Sequence, residues 1–337
     1  MSAPGGEAVV GRVRARLYEG LRERLEVAVS QVSAAAALIA LFIALSFASP
    51  HFLTEENLFN VGAQTAVTAI VAMAETLIII TAGIDLSVGS VAALSGVIAA
   101  LAISRLGVGV GQATLVGIVV GIGAGLLDGF LVTKARISPF IATLGMMTVA
   151  RGLVFISTGG VAVYGLPTAF QLLGNGEISG FPIAILVLLL VAVITAFVLS
   201  QSTMGRYMYA IGSNPEAARR SGIPVDRYLM GVYAFAGALV GIGGLVAASR
   251  VNSGQPGFGE DLPLDVIAAA VIGGASLFGG QGRIVGTLIG AFLIALVRNG
   301  SVLLGINIFY QEVIIGVIIW LAVYFDRLRR RRLSERE

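Results

Sequence analysis

Hydrophobic positions in this chain fall in long unbroken runs separated by short polar punctuation, without the alternation of a half-buried strand. Such runs occupy 31–49, 63–83, 87–104, 113–133, 138–157, 182–200, 229–248, 264–280, 284–304 and 308–325. A membrane-spanning helix needs roughly 20 mostly apolar residues, so the pattern predicts ten spans with both termini on one side. The expected fold is an all-α polytopic membrane protein. Two places interrupt the pattern: the tight junction 83–90, and the Gly-broken stretch 273–282, which also reads as a re-entrant segment.

One polar stretch stands apart between two apolar runs, AIGSNPEAARRSGIPVDRY at 210–228. Asn214 is placed as an N-cap, and Pro215 fits the first helical position, where its missing N–H costs nothing. Glu216 lies near the positive helix end, Arg219 and Arg220 near the negative end, and Glu216 and Arg220 are spaced for an i,i+4 ion pair. Gly222 can close the helix in the left-handed conformation and Pro224 prevents its continuation. A short helix with its own start and stop, held in a loop, reads as something for a partner to grip.

Composition sharpens the class. The 337 residues are 57% hydrophobic and 12% charged, with 45 glycines and no cysteine. A soluble domain does not carry that profile, and frequent glycine suits packed membrane helices. The pI near 9.4 comes from topology rather than nucleic-acid binding. If the N-terminus, 134–137, 201–228, 281–283 and the C-terminus share a side, that side holds 18 of the 22 basic residues. By the positive-inside rule both termini and the capped helix are then cytoplasmic. Residues 1–30 read as an amphipathic cytoplasmic segment, 31–325 as the transmembrane domain with its cytoplasmic loop 201–228, and 326–337 as a basic tail. The charged leader and the long first run argue against a cleaved signal peptide.

Glycines add a second layer. Gly117, Gly121, Gly125 and Gly129 recur every four residues, as do Gly282, Gly286 and Gly290, and small-xxx-small stripes let helix backbones approach closely in lipid. Their places in the fourth and ninth runs suit two five-helix halves in inverted repeat.

Familiar soluble-enzyme chemistry is missing. His51 is the single histidine, GGASLFGG at 273–280 lacks the spacing of a nucleophile elbow, and Lys134, the single lysine, follows LVT, so there is no Walker A loop. No cofactor is expected on this chain, and ATP would be bound by a separate subunit. Ionisable residues inside spans are costly and by default functional candidates. Asp85, Ser87 and Ser90, in TAGIDLSVGS at 81–90, read either as a translocation path for a hydroxylated solute or, for Asp85 and Ser87, as an N-cap of the next helix. Arg151 and Asn299 are further path candidates. Arg151 and Arg298 are each expected to pair with a carboxylate such as Glu75 or Glu312 or to snorkel outward, and Asp128 to reach cytoplasmic water. The outer connections 158–181 and 250–263 offer Tyr164, Asn252, Gln255, Glu260 and Asp261 as docking candidates for an external partner, or serve as plain tethers.

The segments TAGIDLSVGS (81–90), TKARISPFIATLG (133–145), ARGL (150–153), GSNPEAARRSGI (212–223) and DVIAAAVIGGASLFGGQG (265–282) resemble the permease subunits of bacterial ABC sugar importers of the ribose, xylose, arabinose and galactoside branch. The resemblance runs from about residue 50 onward, with the motifs in the same order. Two positions depart from it: Ala82 stands where the family often has a second glycine, and Asp128 where asparagine is common. The resemblance implies an inner-membrane permease dimer (homo- or hetero-), two P-loop ATPase domains beneath it and an extracytoplasmic sugar-binding protein, with lipid around it and no nucleic acid. The 214–221 helix then becomes the coupling helix. An ion-coupled transporter using Asp85 has no use for such a helix. A membrane-embedded enzyme finds no nucleophile–base pair. ABC permeases for nucleosides or branched-chain amino acids stay open as alternatives.

Overall fold

The computed structural model describes residues 32–334, so the expected N-terminal amphipathic segment lies outside the described residues. The described residues are all-α apart from one hairpin of two two-residue strands. In order it forms α1 (Val32–Ala48), α2 (Glu55–Ile80), α3 (Val88–Leu106), α4 (Val110–Thr133), α5 (Pro139–Thr158), α6 (Thr168–Asn175), β1 (Glu177–Ile178), β2 (Phe181–Pro182), α7 (Ile183–Gln201), α8 (Thr203–Ser213), α9 (Pro215–Arg220), α10 (Val225–Arg250), α11 (Leu262–Ile272), α12 (Ile284–Leu303) and α13 (Ile308–Ser334). Seven of these, α2, α3, α4, α5, α7, α10 and α12, are long and apolar enough to cross a membrane; α1, α11 and the apolar part of α13 are shorter.

The eighth expected span, 264–280, is the one the structure divides. Helix α11 stops at Ile272, and 273–283 is irregular backbone with Gly274, Gly279 and Gly280 at positive φ. Eleven residues rise about 16 Å, half of a hydrocarbon core, as a re-entrant segment would. The residues after Ile272, GGASLFGG, are glycine-rich and less apolar than α11, and only Leu277 and Phe278 carry the apolar run toward spanning length.

Helix α2 is the buried axis of the molecule, covered from Ala66 to Ile80 almost without exposure. Helix α10 lies beside it and against α3 and α4, while α11, α12 and α7 close the remaining sides. The glycine stripe of α4 seats α10: a methyl added at Gly121 would run into the carbonyl of Gly237, and one at Gly125 into that of Tyr233. The α12 stripe does the same against α11, Gly286 meeting the carbonyl of Gly273 and Gly290 that of Ala269. With no hydrophobic force to hold helices together in lipid, close backbone approach is what makes these seams. The outward faces of α4, α5, α7 and α13 stay apolar, with Val119, Ile156, Val193 and Trp320 all strongly exposed.

At one end of the bundle the connection 158–182 is not a bare loop, since it contains α6 and the hairpin. It is stapled to the segment after α10 by a two-way backbone pairing of Val163 with Gly254, both bonds 2.9 Å. The Ser249 hydroxyl accepts from the N–H of Gly174 and donates to the carbonyl of Phe170. The opposite end carries α8, α9 and the 280–283 turn.

Candidate functional site

Helix α9 forms where its residues place it. The Asn214 side chain accepts from the N–H groups of Glu216 (3.0 Å) and Ala217 (2.9 Å), satisfying two donors that a helix start leaves open. At the other end the Ile223 N–H reaches the Ala218 carbonyl and Gly222 sits at φ +83°, a conformation that suits glycine. The underside is apolar. Ala218 is buried with Ile211 and Val225 among Tyr207, Ile223, Tyr228 and Leu229, and the two tyrosine rings meet edge to face at 4.7 Å. Asp226 is a residue that sequence reasoning passed over. It takes Arg219 at 2.8 Å and Arg136 at 3.2 Å, tying α9 to α10 and to the turn after α4. Glu216 and Arg220 pair at 3.1 Å, but their side chains are 76% and 80% exposed, so the pair adds little stability and leaves both charges available.

Helix α9 hangs from α8, and the end of α8 is pressed into the interior. A Cβ on Gly212 would collide with the carbonyl of Ile80 and with the backbone N of Gly280. The Gly280 N–H itself donates to the Ile80 carbonyl at 2.9 Å. Ala82, at φ +62°, has its Cβ against the backbone at Gly279. Three elements therefore meet through backbone at one point: α8, the end of α2 and the 273–283 segment. One turn earlier on the same face of α8, the Tyr209 hydroxyl donates to the Gly282 carbonyl at 2.7 Å. Burial raises that phenol's pKa, and nearby Arg283 partly offsets the rise.

From Ile80 the chain enters the 81–87 break. The Asp85 carboxylate accepts from the Ser87 N–H (2.8 Å) and hydroxyl (2.6 Å), while its own N–H donates to Glu75 Oε1 (3.1 Å). Ser87 occupies the N-cap position of α3, but its side chain makes no cap bond. Asp128 does not reach water as expected. It is 1% exposed, with Oδ2 3.4 Å from the Ser87 hydroxyl, because the α4 glycine stripe draws its face onto α10. Glu75, Asp85 and Asp128 are thus gathered in the interior, and none joins an ion pair among the described residues. Among the described residues Glu75 Oε2, Asp128 Oδ1 and the Tyr233 hydroxyl find no hydrogen-bond partner, nor does the Ser90 hydroxyl. The sequence brought Asp85, Ser87 and Ser90 together; Glu75, Asp128 and Tyr233 join them only through packing.

Neither membrane arginine pairs with Glu75. Arg298 holds Asp265 at 2.9 Å and Glu312 at 3.2 Å. Arg151 finds carbonyls rather than a carboxylate, donating to Pro256 and Phe258 at 2.9 Å each. Those bonds fix the 255–258 segment, which walls a cavity of about 290 Å³ between α3 and α10. Its lining is mostly small and apolar, including Ala93, Gly96 and Gly244, with Ser253, Gln255 and Phe258 at one side. Gln255, expected only as a docking residue, lines this space and donates to the Ser253 hydroxyl at 2.7 Å. Asn299 lies elsewhere, paired with Asn57 through bonds of 2.7 and 3.3 Å beside α1. Tyr164 is exposed at the stapled end, and Asn252 sits there at φ +47° with its amide 3.5 Å from the Leu166 carbonyl; Glu260 and Asp261 are exposed but lie away from it, since Gly259 and Pro263 beside them pack on Gly89 at the start of α3.

A family model described as the permease component of branched-chain amino acid transport systems matches residues 57–323. A ribose import permease of Bacillus subtilis is 43% identical over 292 residues, 86% of this chain and 90% of that protein. An L-arabinose ABC transporter permease of Azospirillum brasilense is 38% identical over 297 residues, covering 87% of this chain and 86% of the relative. A D-allose transport permease of Escherichia coli is 36% identical over 294 residues, 87% and 89% of the two chains. No solved structure matches. With the match spanning all but the edges of the helical bundle, this chain belongs to that family of transport-system permease components.

Proposed function

We infer that the chain is the membrane-spanning permease of an ATP-driven importer that passes a monosaccharide into the cytoplasm. The relatives named for ribose, allose and arabinose support a sugar over the amino acids in the family's description. The observation that carries the mechanism is α9: a capped helix fastened by Asp226, with Glu216 and Arg220 facing outward. It is built to sit in a groove of a separate P-loop ATPase, on the cytoplasmic side that the basic residues mark. ATP can open one face only by favouring one permease conformation over the other. The contact of Gly212 with Ile80 and Gly280 gives α9 a short mechanical route to the Asp85 break. A second permease subunit covers part of the apolar outer surface, and a sugar-binding protein docks on the stapled end around Tyr164 and Asn252.

The cavity beside Arg151 is the passage. Small residues leave room, Phe258 offers a face to the C–H side of a sugar ring, and Gln255 and Ser253 supply a few hydrogen bonds. So few polar groups suit passage rather than retention.

The test is sugar-stimulated ATP hydrolysis by the reconstituted complex. Glu216→Ala with Arg220→Ala is expected to abolish stimulation while the permease elutes as folded protein. Normal stimulation in the double variant would remove α9 from the coupling role.

A further inference from the structure

A cleft of about 730 Å³ opens beside α8, on the end of the bundle that carries α9. One wall is the last turn of α7, with Ala196, Leu199 and Ser200. The other is the 280–283 turn and the start of α12, with Ile284 and Val285. Arg206 and Arg283 line it from two different elements, and both are exposed. Neither has a carboxylate partner among the described residues, whereas Arg136, Arg219 and Arg220 at the same end all do. Among the described residues the Arg206 guanidinium makes one hydrogen bond, a long one of 3.5 Å to the Gln201 carbonyl. Beyond the cleft's α7 wall the same helix presents an apolar surface, where Leu190, Val193 and Phe197 are 61%, 68% and 63% exposed.

We propose that this cleft is a binding site for an anionic phospholipid of the cytoplasmic leaflet, with its phosphate held between Arg206 and Arg283 and its acyl chains along α7. The charge and the shape select the same molecule. Two unneutralised guanidiniums beside a hydrocarbon-facing wall at the membrane boundary call for an anion that carries hydrocarbon, and free phosphate would leave the α7 face unused. A lipid seated there touches the 280–283 turn, whose Gly280 contacts the end of α2, so its occupancy bears on the same three-way junction that α9 loads.

The chain lacks cysteine, so one introduced thiol reports unambiguously on what covers the cleft. The complex would be purified with its ATPase in mild detergent. Bound phosphatidylglycerol and phosphatidylcholine would then be compared by native mass spectrometry, in wild type and in Arg206→Gln/Arg283→Gln. Preferential retention of phosphatidylglycerol is expected, falling roughly tenfold or more in the double variant. A control at exposed Lys134 and Arg227, both changed to glutamine, is expected to keep the preference. Equal binding of the two lipids, or a phosphatidylglycerol preference unchanged by the double substitution, would overturn the site. So would efficient cross-linking of a Ser200→Cys variant to the ATPase or to a second permease copy, since a protein would then occupy the cleft; labelling of that thiol by a lipid-borne reagent is the supporting result.

Discussion

Helix α9 and the 81–87 break are both interruptions of a run of spanning helices, yet they handle polar atoms in opposite ways. In α9 each exposed backbone donor or charge has a partner close in sequence: Asn214 caps two N–H groups, Glu216 meets Arg220, and Arg219 meets Asp226 seven residues on. In the break, Asp85 is satisfied locally by Ser87, but Glu75, Asp128 and Tyr233 reach it from other helices and each keeps an unpartnered atom. A segment that pairs its own groups holds its shape while it is moved. A buried cluster with unused donors and acceptors has alternative pairings to adopt when the helices around it shift.

The largest effect is expected where the two regions touch. Gly212→Val places a branched side chain against the Ile80 carbonyl and the Gly280 nitrogen, neither of which can swing aside. A cost of about 2–3 kcal/mol in thermal unfolding is expected, together with loss of sugar-stimulated hydrolysis. A variant as stable and as stimulated as wild type would show that the junction does not join the regions. A smaller change comes from the cap. Asn214→Ala removes the acceptor for two N–H groups and should cost about 1 kcal/mol, fraying α9 while the bundle melts as before; restoration by Asn214→Asp or Asn214→Ser would sharpen the assignment. Smallest is Tyr233→Phe. Its hydroxyl has no partner, so deleting it should alter stability by no more than about 0.5 kcal/mol in either direction. A loss well above that would mean that the cluster is already fully bonded and the contrast with α9 fails.

Much of the fold was legible because a bilayer allows few solutions. Apolar runs of spanning length, glycine stripes and a one-sided excess of arginine each report on the solvent around the helix rather than on distant contacts. The seam of Gly121 and Gly125 was readable as a groove, though not that α10 would fill it. The expected span at 264–280 shows the limit, since Gly273 ends the helix and the following residues gain their partners from Ile80 and from within the turn. Asp128 misled for a related reason: near a helix end it reads as solvated, and only the packing of α4 on α10 turns it inward.

The sequence alone therefore determined the class of protein, the helical runs and α9 with its cap, because these depend on local propensity and on transfer between water and lipid. Tertiary structure decided that Arg151 braces the 255–258 segment, that Arg298 belongs to Asp265 and Glu312, and that Asn299 pairs with Asn57. It alone gathered Glu75, Asp85 and Asp128, three acids from two helices and a break. Their pairing depends on which helix faces meet, and helix-face matching in lipid is set by close backbone contact between residues far apart in the chain.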